Sequence, residues 1–226
     1  MPSRVGSIPA AWPSSQWAVA RRRSPRPVAR TSQLRIVGGR YRGRRLPVPA
    51  HPGLRPTGDR TRETLFNWLA PVVAGARCLD AFAGSGALGL EAASRGAGEV
   101  VMLERAGQVV RQLQANVRTL GATEIQVRQA DALRWLAAAA DAPFDIVFLD
   151  PPFADGLLDP AIRLLVQHGW VAPGARVYLE APARSEFAAL PANWELARDK
   201  TAGQVRYGLA VVAEAPSSAV GDSAPD

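Results

Sequence analysis

A single cysteine, Cys78, occurs in the 226 residues. No internal disulfide can form, so a secreted disulfide scaffold is excluded and a reducing compartment fits. Histidine is nearly as scarce. His51 and His168 lie far apart in sequence, and with Cys78 they are too few for a zinc cluster. A carboxylate-bound metal stays open on composition alone, but no residue set calls for one. No stretch approaches the ~18 apolar residues of a membrane span. The longest apolar run, from Ala132 to Ala140, contains Arg134. Lysine occurs once, as Lys200, against 26 arginines; this reads as GC-rich coding rather than chemistry. Acidic residues are absent from the first 58 positions, which hold 12 arginines.

The charge is therefore divided. The formal net charge is +7, yet residues 59–226 carry 15 Lys plus Arg against 20 Asp plus Glu, or −5. A basic N-terminal segment beside a mildly acidic body suggests a polyanionic partner, with a solubilising tail as the plainer alternative. The apolar content is that of a globular chain long enough to bury a core.

Residues 1–33 are rich in Pro, Ser, Ala and Arg without apolar periodicity and are expected to be a disordered extension. The lack of acids admits a mitochondrial presequence, but Pro25 and Pro27 break the best basic run. Residues 34–49 read as strand, turn and strand, and a Pro- and Gly-rich loop follows to Thr57. Asp59 to Leu69 reads as a helix with Thr57 or Gly58 near its N-cap. Strands are then expected at 77–81, 99–104, 124–128, 144–149, 174–180 and 204–212, with another at 193–200. Helices are expected near 87–95, 107–119, 132–140, 157–168 and 184–190. This alternation predicts an α/β domain over 71–213, a mostly parallel sheet with helices on both faces, ending in an antiparallel hairpin. Residues 214–226 read as a polar tail.

Two motifs carry chemistry. Gly84, Gly86 and Gly89 fit G-x-G-x-x-G between a strand and a helix, the place of a nucleotide-type cofactor. Glu104 closes the next strand, where a carboxylate can accept from ribose hydroxyls. Dinucleotides and S-adenosylmethionine share this layout. Asp80, four residues before Gly84, favours the second, because it would repel a pyrophosphate and attract a sulfonium ligand bearing an ammonium group. Asp131 can contact an adenine amino group or cap a helix beginning at Ala132.

The second motif is Asp150-Pro151-Pro152-Phe153, directly after the strand 144–149. The prolines fix the backbone and remove two donors, leaving Asp150 and the Pro151 carbonyl as an acceptor pair for an exocyclic amine. Hydrogen bonds to both amine hydrogens favour a tetrahedral nitrogen whose lone pair can attack a sulfonium methyl. Phe153 can stack on a base that is flipped out or unpaired. The exocyclic amines of guanine, adenine and cytosine all satisfy these four residues.

With these residues the chain resembles the Class I S-adenosylmethionine-dependent methyltransferases. More narrowly, residues 34–212 resemble the RsmD family of bacterial 16S rRNA guanine-N2 methyltransferases. The carrying segments are LRIVGGRYRGRRL (34–46), RPTGDRTRETLFNWL (55–69), LDAFAGSGALGLEAASRGA (79–97), LDPPF (149–153) and AGQVRYG (202–208). The resemblance implies a Rossmann-like, seven-stranded sheet with the last strand antiparallel. It implies cofactor contacts from Asp80, Phe82, Gly84, Gly86, Glu104, Asp131 and Ala132, and target-amine contacts from Asp150, Pro151 and Phe153. It also implies an RNA-holding hairpin and helix at 34–70. Arg40, Arg42, Arg44 and Arg45 around Tyr41, with Arg55 and Arg60, are the candidate RNA contacts. For Arg55, Arg60, Arg62 and Glu63 a solvated helix face with intrahelical ion pairs is the alternative reading. The implied substrate is 16S rRNA within an assembling or assembled 30S subunit, and the implied protein is a cytoplasmic monomer. Methylation of adenine N6 or cytosine N4 is the alternative chemistry.

Overall fold

Short aliphatic and β-branched runs bounded by Gly, Pro or Asp become strands of one central sheet in the structure, a computed structural model describing residues 32–51, 58–187 and 190–214. Strands β1 (Ser32–Arg35) and β2 (Arg45–Val48) form an antiparallel hairpin ahead of helix α1 (Asp59–Leu69). Then follow β3 (Arg77–Asp80), α2 (Ala87–Ser94), β4 (Glu99–Glu104), α3 (Gly107–Leu120), β5 (Ile125–Gln129), α4 (Ala132–Leu136) and β6 (Phe144–Leu149). The chain continues through α5 (Leu158–Gln167), β7 (Val171–Pro182), β8 (Trp194–Ala202) and β9 (Val205–Val212). The sheet order is β5-β4-β3-β6-β7-β9-β8, with β9 antiparallel to both neighbours and the other pairings parallel. The winding reverses between β3 and β6, which opens a crevice at the carboxyl ends of those strands.

The two-residue period of each strand divides the core. Cys78, Val100, Met102, Ile146, Phe148 and Tyr178 face one layer, built from the hairpin, α1, α2 and α3. Leu79, Val101, Leu103, Val147, Leu149 and Leu179 face the other, under α4 and α5. The hairpin shares the first core, with Leu34, Ile36, Leu46 and Val48 buried in it.

Two expected helices differ. The helix expected over 132–140 stops at Leu136, because its carbonyls find tertiary donors. Trp170 Nε1 donates to the Leu136 and Ala138 carbonyls, and Ala140 N donates to His168 O. The helix expected at 184–190 is absent from the described residues 184–187. There β7 runs on to Pro182, Ala183 N donates to Gln204 O, and Ser185 N closes a turn on Pro182 O. The ladder with β9 captures the segment instead. Residues 1–31, 52–57, 188–189 and 215–226, including Arg55, lie outside the described residues.

One buried carboxylate fastens the first layer together. Glu91, on α2, is fully buried. It accepts from Val37 N at 2.9 Å and Gly38 N at 2.7 Å in the hairpin, from Arg62 Nη1 of α1 at 3.2 Å, and from Arg95 Nε at 3.0 Å. Arg62 is equally buried and also bonds Asp59 at 2.6 Å. The expectation of a solvated face therefore fails at Arg62, whose helix turns it inward. Next to this clamp the hairpin turn seats on the end of α2: Arg40 N donates to Ser94 O and Ser94 Oγ to Gly38 O. Gly39 has φ +74°, and a Cβ there would stand 1.9 Å from the Ser94 carbonyl oxygen, so only glycine fits.

Removing one partner of a buried ion pair strands the other charge. Glu91→Leu is expected to cost about 3–5 kcal/mol of unfolding free energy in urea titration. A change within about 0.5 kcal/mol, as at an ordinary surface position, would contradict the clamp.

Candidate active site

The register of the parallel strands aligns the candidate carboxylates. Asp80 pairs with Met102 on one side and Phe148 on the other, and Leu149 pairs with Leu179. Positions 80, 104, 150 and 180 have the parity of Cys78, Met102, Phe148 and Tyr178, so all four acids project toward the layer of α1, α2 and α3. They form a row along the carboxyl ends of β4, β3, β6 and β7, across the crevice. An ion pair between Arg105, after β4, and Asp155, after β6, spans this edge at 3.8 Å.

The glycine loop lies at the centre of the row. Gly86 is the N-cap of α2 with φ +80°, and a Cβ there would come 2.6 Å from Leu113 Cδ2. The positive φ favours glycine, and the side-chain tip of Leu113 on α3 packs close over it. Gly89 N donates to Asp80 Oδ2 at 2.9 Å, which ties the strand end to the first turn of α2. Glu104 accepts from Gly84 N at 3.1 Å and Ala106 N at 2.6 Å, holding the loops after β3 and β4 together. Its two oxygens retain lone pairs for further donors.

Asp80 is buried, and no salt-bridge cation faces it among the described residues. Burial pushes its carboxyl up to about 7, helped by the nearby Glu104 charge and opposed by hydrogen bonds from Gly89 and Phe82 backbone N–H groups. A buried carboxyl lacking a cation is suited to receive one. The same feature disfavours a dinucleotide pyrophosphate.

The remaining candidates fall around this centre. Phe82 is half-buried against the second core. Asp131 caps α4, accepting from Arg134 N at 3.0 Å, and Ala132 opens that helix. Pro151 is buried, and Phe153 is 43% exposed in a short 3₁₀ turn, Phe153–Asp155.

The arginines are not gathered there. Arg40 pairs with Glu124 and lies over the Tyr41 ring at 4.5 Å, and Arg44 Nη2 reaches Thr119 O at 3.3 Å. Both partners stand at the α3–β5 connection, on the amino edge of the sheet opposite the crevice. Arg42 and Arg45 are exposed on the same hairpin, and Arg60 is exposed in the first turn of α1. Two surface hollows, one lined by Val166, Trp194 and Val212 and the other by Pro71, Asp145 and Arg176, also lie on the amino edge and contain none of the candidates.

Sequence reasoning missed Tyr178 and Glu180. Glu180 is buried at the end of β7, and the Tyr178 hydroxyl donates to its Oε1 at 2.6 Å. The available signal was a fourth acid at a strand's carboxyl end, in phase with Asp80, Glu104 and Asp150.

Comparison with known proteins gives a consistent result. The family model described as Conserved hypothetical protein 95 matches residues 34–211. The chain is 52% identical over 179 residues to Ribosomal RNA small subunit methyltransferase D of Escherichia coli, covering 79% of this chain and 90% of that one. It is similar to the solved structure of an Escherichia coli protein assigned as a methyltransferase, with TM-score 0.76, 49% identity, and coverage of 80% and 99% of the two chains. At 14% identity and TM-score 0.60 it shares the fold of a structure holding S-adenosylhomocysteine, covering 74% of this chain and 53% of that one.

The raised Asp80 carboxyl predicts how the ligand-free protein responds to pH. A folded pKa of about 7 against 3.8 unfolded gives a contribution fully present below pH ~4 and lost as pH rises through 7. Asp80→Asn removes that loss. The variant is expected to gain stability relative to wild type between pH 5 and 8, by up to about 4 kcal/mol in denaturant titration. A pH-independent difference would contradict the assignment.

Proposed function

The chain belongs to the RsmD family, and from that premise we propose that it transfers a methyl group from S-adenosylmethionine to the exocyclic N2 of a guanine in small-subunit ribosomal RNA. The observation that carries the reading is the Asp150-Pro151 acceptor pair in the same row as the glycine loop, Asp80 and Glu104. S-adenosylmethionine supplies a sulfonium-bound methyl group when bound. The residues present fit it. The Asp80 carboxyl can receive the ammonium group, directly or through the loop backbone it supports. Gly84 and Gly86 permit close backbone approach, Glu104 can accept from ribose hydroxyls, and Asp131 with the start of α4 can border the adenine.

Asp150 and the Pro151 carbonyl, with no N–H on Pro151 or Pro152, would accept both hydrogens of the target amine and orient its lone pair toward the methyl group. Asp150 can also take up the proton that the methylated nitrogen releases. Phe153, exposed at the rim, offers a stacking surface for the extruded base.

RNA is proposed to approach over the carboxyl edge. Arg60 is the exposed candidate on α1. Arg40, Arg42, Arg44 and Arg45 would engage RNA only where it extends around the hairpin. Arg55 remains a candidate contact from the sequence alone. The substrate context is proposed to be an assembling or assembled small subunit, and the protein a cytoplasmic monomer. No helix among the described residues is long and apolar enough to cross a membrane.

The test is transfer from labelled S-adenosylmethionine to naked small-subunit RNA, to small subunits lacking the modification, and to duplex DNA, with the product nucleoside identified. N2-methylguanosine in the small-subunit substrate is expected, and Asp150→Ala should reduce the rate by at least about a hundredfold. Methyladenine, methylcytosine or label confined to DNA would contradict the proposed target.

A further inference from the structure

Asp150 has a buried neighbour that the chemistry above leaves unused. Leu149 of β6 stands opposite Leu179 of β7, so the next residues, Asp150 and Glu180, emerge side by side on the face that carries Phe148 and Tyr178. Glu180 is 5% exposed. Its Oε1 accepts from the Tyr178 hydroxyl at 2.6 Å, and the strand register sets its carboxyl beside that of Asp150, within hydrogen-bonding reach. A hydrogen bond between two carboxyl groups requires a proton on one of them. The Tyr178 hydroxyl is committed to Glu180, so that proton belongs to the Glu180–Asp150 pair.

The surroundings favour keeping it. Burial raises Glu180 and outweighs the lowering effect of its contacts with Tyr178 and Asp150, and burial beside Glu180 holds the Tyr178 hydroxyl well above the ordinary tyrosine range, so Tyr178 stays a donor. Tyr207 faces Glu180 across the β7–β9 ladder, and Asp80 lies two residues below the level of Asp150 on β3. From α1, the rings of Phe66 and Trp68 cover Phe148 and Tyr207, at 5.9 and 5.7 Å between centroids.

We infer that Glu180 is a positioning residue for the methyl transfer: its hydrogen bond with Asp150 holds one oxygen of that carboxyl and leaves the other, with the Pro151 carbonyl, for the target amine. This rests on the function proposed above. Tyr178 orients Glu180 in turn. The pair titrates as a unit. As pH rises and the shared proton leaves, two charged carboxylates face each other and Asp150 loses its fixed orientation. Turnover should therefore fall on the alkaline side.

Three variants test this. Glu180→Leu removes both hydrogen bonds and should lower kcat by about 10- to 100-fold, the cost of a misplaced reacting group, while leaving KM for RNA and S-adenosylhomocysteine affinity as in wild type. Glu180→Gln keeps an acceptor for Tyr178 and a donor for Asp150 that cannot ionise. It should restore most of the loss and abolish the alkaline fall in kcat. Tyr178→Phe should give an intermediate loss. An unchanged kcat in Glu180→Leu, or the wild-type alkaline limb in Glu180→Gln, would overturn the inference. Infrared spectroscopy reads the pair without substrate: the wild-type minus Glu180→Gln difference at neutral pH should contain one protonated carboxyl, and its absence would overturn the inference. Wild-type protein inactive on every RNA would instead count against the proposed function, with the infrared difference still deciding the pair.

Discussion

The architecture turns on the Glu91 carboxylate. A charge buried in the first core is tolerable only with its hydrogen bonds supplied, and the donors come from three elements: the hairpin backbone at Val37 and Gly38, Arg62 of α1, and Arg95 at the end of α2. None of these elements could settle elsewhere without leaving that charge unmet. Because Glu91 sits on α2, the clamp also fixes the helix whose amino end carries Gly86. The hairpin thereby acts on the crevice from a distance. It anchors the carboxyl end of α2, and the amino end presents the glycine loop.

A second constraint lies at the opposite end of the sheet. Strand periodicity and register aim Asp80, Glu104, Asp150 and Glu180 the same way at consecutive strand ends. Burial raises the Asp80 and Glu180 carboxyls, at Asp80 with help from the nearby Glu104 charge, and favours their protonation. The ligand-free protein thus pays in stability for a site suited to a cation and an amine, a tension common where acids are held out of water. Under the proposed function, S-adenosylmethionine and a nucleobase amine would be complementary to the two halves of the row, with positive charge toward Asp80 and N–H donors toward Asp150.

Much of this was legible in the sequence. The alternation of apolar runs with helical stretches predicted the order of elements, and the lack of a helix between the last two strands predicted their antiparallel pairing. Gly84, Gly86, Asp80, Glu104 and Asp150 could be placed at neighbouring strand ends and loops because the strand–helix alternation fixes where those ends fall. The helix expected at 132–140 could not be delimited, because its end depends on Trp170, more than thirty residues away. Arg62 looked solvated because a helix beginning DRTRE is polar, and its partner Glu91 is distant in sequence. Yet Glu91 is the one charge within ALGLEAAS, a helix buried all round, and such a lone charge calls for a partner. Glu180 was hidden by attention to motifs rather than to the phase of strand ends. The arginine-rich turn read as an RNA surface from composition, whereas Arg40 and Arg44 also serve to hold the hairpin against α3 and β5.

Under the proposed function, the buried Asp80 carboxyl becomes charged when the ammonium group of the cofactor or its product arrives. Calorimetry of S-adenosylhomocysteine binding in buffers of differing protonation heat reads this directly. Release of about half a proton is expected near pH 7, fading above pH 8 where Asp80 is already ionised, and abolished in Asp80→Asn. Binding without proton release near pH 7, or equal release in Asp80→Asn, would contradict it.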